Sequence, residues 1–146
     1  MAIQFENRIL TNTAVNGVIW GVGRGDSLYV TKSGELYATG SGGTAIVGAS
    51  TATVTIAGQV FGDYAIRMEE NSVTGYGGST VSVLDGGIVT GDITGVEMQG
   101  TNNTVTIAGQ VSGDYGIFTG QNGGLGASTV TVVAGGVVTG DIYGVG

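Results

Sequence analysis

The chain has 146 residues, 31 of them glycine and none proline, cysteine or histidine. Four Lys/Arg against eleven Asp/Glu give a net charge of −7, and only 10% of residues are charged, well below the quarter usual in globular domains. This balance argues against nucleic-acid binding, which needs phosphate-neutralising cations, and against adsorption to an anionic membrane; without Cys or His there are no disulfides, no thiolate metal site and no imidazole base.

The length suits one domain. In chain order, Met1–Thr13 is the least regular stretch, and MAIQFENRILTN lacks the basic-then-apolar order of a Sec signal peptide. No apolar run approaches the 18 residues of a membrane span. Gly17-Val18-Ile19-Trp20 resembles a phrase that later closes each repeat, so residues 1–25 are expected to form a degenerate first coil or an N-terminal cap. From residue 26 to 146 the chain copies itself. Thr53–Ile66 and Thr104–Ile117 agree at twelve of fourteen positions, and Ser79–Val96 and Ser128–Val145 at thirteen of eighteen. Each copy splits into halves, marked by Val54, Val81, Val105 and Val130 at steps of 27, 24 and 25 residues, and a weaker relative, Leu28-Tyr29-Val30 followed by Gly34, precedes Val54 by 26. Every half runs through a glycine corner (Gly58, Gly86-Gly87, Gly109, Gly135-Gly136), a short apolar step (Val60, Val89, Val111, Val138), a Gly-Asp pair and a closing aliphatic residue (Ile66, Val96, Ile117, Val145).

Alternation of Val54 and Ile56 with Thr53 and Thr55 predicts a strand with one buried face, and no window carries helical spacing. A unit of about 25 residues cannot bury its apolar face alone. A sandwich or propeller of hairpins is the competing all-β layout, but near-identical apolar positions favour stacking like on like. The expected fold is an all-β parallel β-solenoid of about five coils, with strands of three to five residues and Val54, Val81, Val105 and Val130 in one internal ladder. The glycine pairs are expected at corners needing positive φ.

The phrases TVTIAGQVSGDYGI and STVTVVAGGVVTGDIYGV are similar to the (N/S)TVTV-x-G-x-V-x-G-x-x-GI repeats of large type I-secreted, haemolysin-like proteins and autotransporter passengers. The resemblance covers about Asp26 to Gly146. It implies a stalk or adhesive module, extracellular or at a bacterial cell surface. The Gly-Gly-x-Gly-x-Asp calcium nonapeptide of that family is absent, since two aliphatic residues follow Gly86-Gly87 and Gly135-Gly136.

Several constellations are candidates for chemistry. Asp63, Asp92, Asp114 and Asp141 recur after glycine and, in register, would form a carboxylate column at the strand spacing; oxygen ligands of this kind suit a calcium ion as cofactor. The plainer reading ties each Asp to its own corner by a side-chain-to-backbone hydrogen bond. Gly23-Arg24-Gly25-Asp26-Ser27 holds an Arg-Gly-Asp tripeptide, and Asn102-Asn103-Thr104 is a sequon read here as a turn. Asp85, Glu97, Glu69 and Glu70 are the acids a carbohydrate-active β-helix would use, yet Ala134 and Gly146 replace Asp85 and Glu97 in the second copy. Tyr64, Tyr115 and Tyr143 could line a sugar-stacking stripe, although aromatic ladders ordinarily stabilise stacked strands. Thr53/Thr55, Thr104/Thr106 and Thr129/Thr131 repeat a Thr-x-Thr pattern like that of flat ice-binding faces, interrupted by Thr80/Ser82. The leading expectation is a non-catalytic structural or adhesive module without a cofactor, with a carbohydrate-active enzyme fragment or a calcium-stabilised module as alternatives. Its partners would be a carbohydrate or cell-surface ligand. Since Gly144-Val145-Gly146 stops as a coil closes, the open end should continue in a longer chain or associate end to end with another copy.

Overall fold

The computed structural model describes residues 3–6, 8–14, 17–70, 77–120 and 127–144. All regular structure among them is β, and every ladder is parallel. One sheet stacks β1 (Ile3–Glu6), β4 (Ser27–Val30), β7 (Thr53–Ile56), β9 (Thr80–Val83), β11 (Thr104–Ile107) and β13 (Thr129–Val132) in that order. Successive rungs therefore begin 24 to 27 residues apart, and the whole is a solenoid of about five turns.

The second sheet changes character along the axis. Its first two coils are split into β2 (Ile9–Asn12) with β3 (Val18–Val22), and β5 (Glu35–Ala38) with β6 (Thr44–Gly48). The later coils run through as single strands, β8 (Gln59–Met68), β10 (Ile88–Gln99), β12 (Gln110–Gly120) and β14 (Val137–Gly144). The two halves of β8 pair separately with β5 and β6. Strands of three to five residues thus hold for the first sheet but not for the second, where strands reach 12 residues. The physical reason is that Gly-Asp does not break the ladder. It forms a bulge at which the register slips while pairing resumes beyond it.

The expected interior ladder is present: Leu28, Val54, Val81, Val105 and Val130 are consecutive partners. Val30, Ile56, Val83, Ile107 and Val132 form a second column in the same sheet. Across the interior lie Leu36, Val60, Val89, Val111 and Val138, and then Ile46, Ile66, Val96 and Ile117. In the middle rungs these side chains are buried in one continuous cluster. Each buried Val or Ile contributes roughly 1.5–3 kcal/mol. The fourth column departs from the repeat alignment at its end. Ile142, not Val145, stands opposite Ile117, and Val145 lies outside the described residues.

The corner glycines serve two different needs. Gly86 and Gly135 adopt positive φ, as expected. Gly34, Gly58, Gly87, Gly109 and Gly136 do not; they stack over one another, and a Cβ on Gly109 or Gly136 would collide with backbone carbonyls of the rung below. That closeness lets the ladder run round the corner, with the N–H of Gln59, Ile88, Gln110 and Val137 each donating to Gly34, Gly58, Gly87 and Gly109 in turn.

The first rung inverts the rule for interior positions. Register places Gln4 against Leu28 and Glu6 against Val30, so both polar side chains occupy the columns filled by aliphatics elsewhere. Glu6 is only 1% exposed. Its Oε1 accepts from the Arg8 backbone N–H (2.8 Å) and Nε (3.0 Å), and its Oε2 from Arg8 Nη2 (2.9 Å). Gln4 Oε1 accepts from Trp20 Nε1 at 3.0 Å. These bonds meet the desolvation cost of burying polar groups.

Candidate functional site

The Gly-Asp corners lie where the two arms of the second sheet meet, and their register decides whether four carboxylates align. Gly62 pairs with Gly91 and Tyr64 with Thr94, so Asp63 alone spans Asp92 and Ile93. On the next step Thr90 pairs with Ser112 and Thr94 with Tyr115, leaving Asp114 near Asp92. In the last coil Ser112 pairs with Thr139, but Tyr115 pairs with Asp141. Asp141 is therefore set beside a tyrosine instead of beside Asp114. The bulge takes two residues in the Asp63 and Asp114 coils, three in the Asp92 coil and one in the last, so the column does not run through to Asp141.

Among the described residues, no three Asp or Glu side chains gather closely enough to hold a metal ion. Asp63 Oδ2 instead accepts from the backbone N–H of Gly42 in the preceding coil, a side-chain-to-backbone tie between neighbours rather than within its own corner. Asp63 and Asp92 do share a shallow dent of about 210 Å³ with Thr39, Phe61 and Thr90. Asp92, Asp114 and Asp141 are exposed to solvent.

The acids weighed for catalysis are dispersed. Glu97 is buried opposite Arg67, whose Nε lies 3.3 Å from Glu97 Oε2, too poorly aligned to count as a hydrogen bond. Glu97 Oε1 accepts from Gln99 Nε2 at 2.8 Å, and Arg67 also lies 4.8 Å from the Tyr64 ring centroid. Both oxygens of Glu97 are thus taken up by a structural pair with a cation–π contact behind it. Glu69 is exposed and Glu70 half-buried two and three residues further along the chain from Arg67. Asp85 is exposed in the glycine corner beside Gly86 and Gly87, where it lines a dent of about 240 Å³.

Tyr64, Tyr115 and Tyr143 are not consecutive partners, so neither a sugar-stacking stripe nor an unbroken tyrosine ladder is built from them. Thr94 stands between Tyr64 and Tyr115, and Tyr143 is aligned with Phe118. The aromatic contacts are others: Tyr37 stacks on Phe61 at 4.9 Å, Phe5 meets Tyr29 at 5.8 Å, and Tyr115 packs edge-on to Phe118 at 6.0 Å. The Tyr37 hydroxyl donates to Glu35 Oε2 (2.7 Å), and that bond raises the phenol above its ordinary value. Arg-Gly-Asp forms a tight turn between β3 and β4, closed by the Asp26 N–H donating to Gly23 O (3.0 Å), with Gly25 at φ 73°. Arg24 is exposed there while Asp26 is half-buried with interactions of its own. The sequon is a turn, Asn102 having φ 59°. Its neighbour Asn103 is buried, accepting from the Ser79 N–H (3.0 Å) and donating to Gln99 O (3.0 Å) and Gly100 O (3.2 Å). The Asn-Asn pair before a TVTI phrase is its only signal in the sequence.

The most regular surface is the outward face of the first sheet. Thr53, Thr80, Thr104 and Thr129 are consecutive partners, and so are Thr55, Ser82, Thr106 and Thr131. Their hydroxyls stand in two columns at about 4.8 Å between rungs and about 6.6 Å along each strand. Ser82 keeps its place in the array, so the unequal coil lengths do not disturb this face. From β4 to β13 no Asp, Glu, Lys or Arg points out from it. Such a surface offers repeated donors and acceptors without net charge. No family model, curated protein or solved structure matches the chain.

Proposed function

We propose that the chain is a non-catalytic scaffold module of a secreted or surface-displayed bacterial protein, whose outward Thr/Ser face binds a neutral, hydroxylated surface such as a polysaccharide. The observation that carries this reading is the in-register double column of eight hydroxyls on a sheet face without charged side chains. A rigid ladder presents these groups pre-organised, so ordering them on binding costs little entropy. Each contact is weak, and a repeated array gains by multivalency when the polymer repeats too. The enzyme reading is less well supported, because the buried Glu97 is committed to Arg67 and Gln99.

The test is retention of beads carrying the chain on neutral and acidic polysaccharide particles. Thr55→Lys with Thr106→Lys, at outward positions, should cut retention on the neutral polymer at least tenfold while leaving the melting curve intact. Equal retention by the variant, or release of reducing ends by the unmodified chain, would overturn the proposal.

A further inference from the structure

We infer that the dent beside Phe61 on the second sheet is a subsite for one neutral pyranose ring of a glycan, seated as the next member of the Tyr37–Phe61 stack. The Thr/Ser face belongs to the first sheet, so either site can fail without the other. Three observations carry the inference.

The first is an aromatic stack that stops with one face uncovered. An outward column of the second sheet reads Thr11, Tyr37, Phe61, Thr90, Ser112 and Thr139 from rung to rung. Tyr37 and Phe61 stack at 4.9 Å with 3° between their planes, so Tyr37 covers one face of Phe61. On the other side the partner is Thr90, whose short side chain cannot cover a ring. The dent of about 210 Å³ opens there, lined by Phe61, Thr90, Thr39, Asp63 and Asp92. Pockets for drug-sized ligands begin near about 300 Å³, so this one suits a single ring.

The second is the rim. Asp63 Oδ2 accepts from the Gly42 N–H, which fixes the carboxylate and leaves Oδ1 to accept from a ligand. Asp92 is exposed and has no hydrogen bond or ion pair among the described residues. Thr90 Oγ1 accepts from Ser112 Oγ at 3.2 Å and keeps its own proton to donate. The dent is thus an aromatic face rimmed chiefly by acceptors. A pyranose ring is the complement: its C–H bonds meet the negative face of an aromatic ring, and its hydroxyls donate charge-assisted bonds to carboxylates. Both acids stand beside the paired Gly62 and Gly91 of the ladder, so little order is lost on binding.

The third is charge, which selects among ring ligands. Two carboxylates line the dent and no Lys or Arg does. A uronate, or a sugar bearing sulfate or phosphate, would bring its own negative charge against Asp63 and Asp92 with no cation to offset it. The flat base of a nucleotide is turned away for the same reason, by its phosphate. An uncharged hexose keeps every favourable contact and meets no repulsion.

The probes are neutral cello-, manno- and galacto-oligosaccharides, with oligogalacturonate as the acidic counterpart, titrated at millimolar concentration and read by amide NMR shifts. At least one neutral probe should saturate and move the amides of Gly62, Thr90 and Asp92, while oligogalacturonate leaves them in place. Asp92→Ala alters an exposed side chain without partners, so the fold survives, and affinity should fall at least fivefold. Thr90→Phe should extend the stack into the dent, abolish the shifts and leave the melting temperature equal or higher. Thr55→Lys with Thr106→Lys should leave the shifts unchanged, which separates this subsite from the Thr/Ser face. Three results would each overturn the inference: no saturation by any neutral probe, equal binding of oligogalacturonate, or full binding by folded Thr90→Phe.

Discussion

The two ends of the solenoid handle the same problem in opposite ways. The first rung fills interior columns with Gln4 and Glu6 and satisfies both through Trp20 and Arg8. The last described rung keeps Val130, Val132 and Val138 in those columns, where they are less buried than their partners in the preceding rung. A coil is therefore not a self-sufficient unit. Burial comes from the rung on either side, and a rung can also carry interior polar groups when these have partners of their own, as Gln4 and Glu6 do.

Substitutions along one column sharpen this contrast most. Ile107→Ala in a covered rung should cost about 2–5 kcal/mol, and Val132→Ala in the same column less than about 1 kcal/mol, both read from urea unfolding. Equal costs would mean that the last rung is covered in solution. Next in size is the corner. Gly109→Ala drives a Cβ into the carbonyls of Leu84 and Gly87 with a rung above it, and should cost about 1–3 kcal/mol. Gly136→Ala meets Ile107 O in the same way, but its rung can lift away, so the loss of stability should be smaller.

In the first rung, Arg8→Ala removes the guanidinium and its two hydrogen bonds from the buried Glu6 carboxylate and should lower the melting temperature, whereas Arg24→Ala on an exposed turn should leave it unchanged. Identical melting for the two would remove the polar cap from the account. The smallest effect concerns the acid column. Because Asp141 is displaced from Asp114, millimolar calcium should not shift the melting curve, since only a ligand held by the folded state does so. A rise of several degrees would show that Asp63, Asp92 and Asp114 suffice.

The solenoid was legible because TVTI and its variants repeat a period-two pattern in every coil, so Val54, Val81, Val105 and Val130 carry the same information four times. The second sheet was harder to read, since Gly-Asp has the composition of a turn even where the backbone passes through it as a bulge. Its register slip at Asp141 has no local signature at all, as Thr139-Gly140-Asp141 matches Thr90-Gly91-Asp92 letter for letter. Glu6 was hidden for another reason. A single acid in an irregular stretch reads as surface until its bonds to Arg8 are known. The glycine column was seen, but positive φ explains only Gly86 and Gly135; the approach of one rung to the next explains Gly109 and Gly136.

Parallel rungs also decide how the molecule would carry a load. Inter-rung hydrogen bonds point along the solenoid axis, so tension applied at the two termini opens the outermost coil first and reaches the next only when that one has let go. Each release frees 24 to 27 residues, about 80–95 Å of extended chain. A tether built this way yields in steps and lengthens under strain instead of snapping.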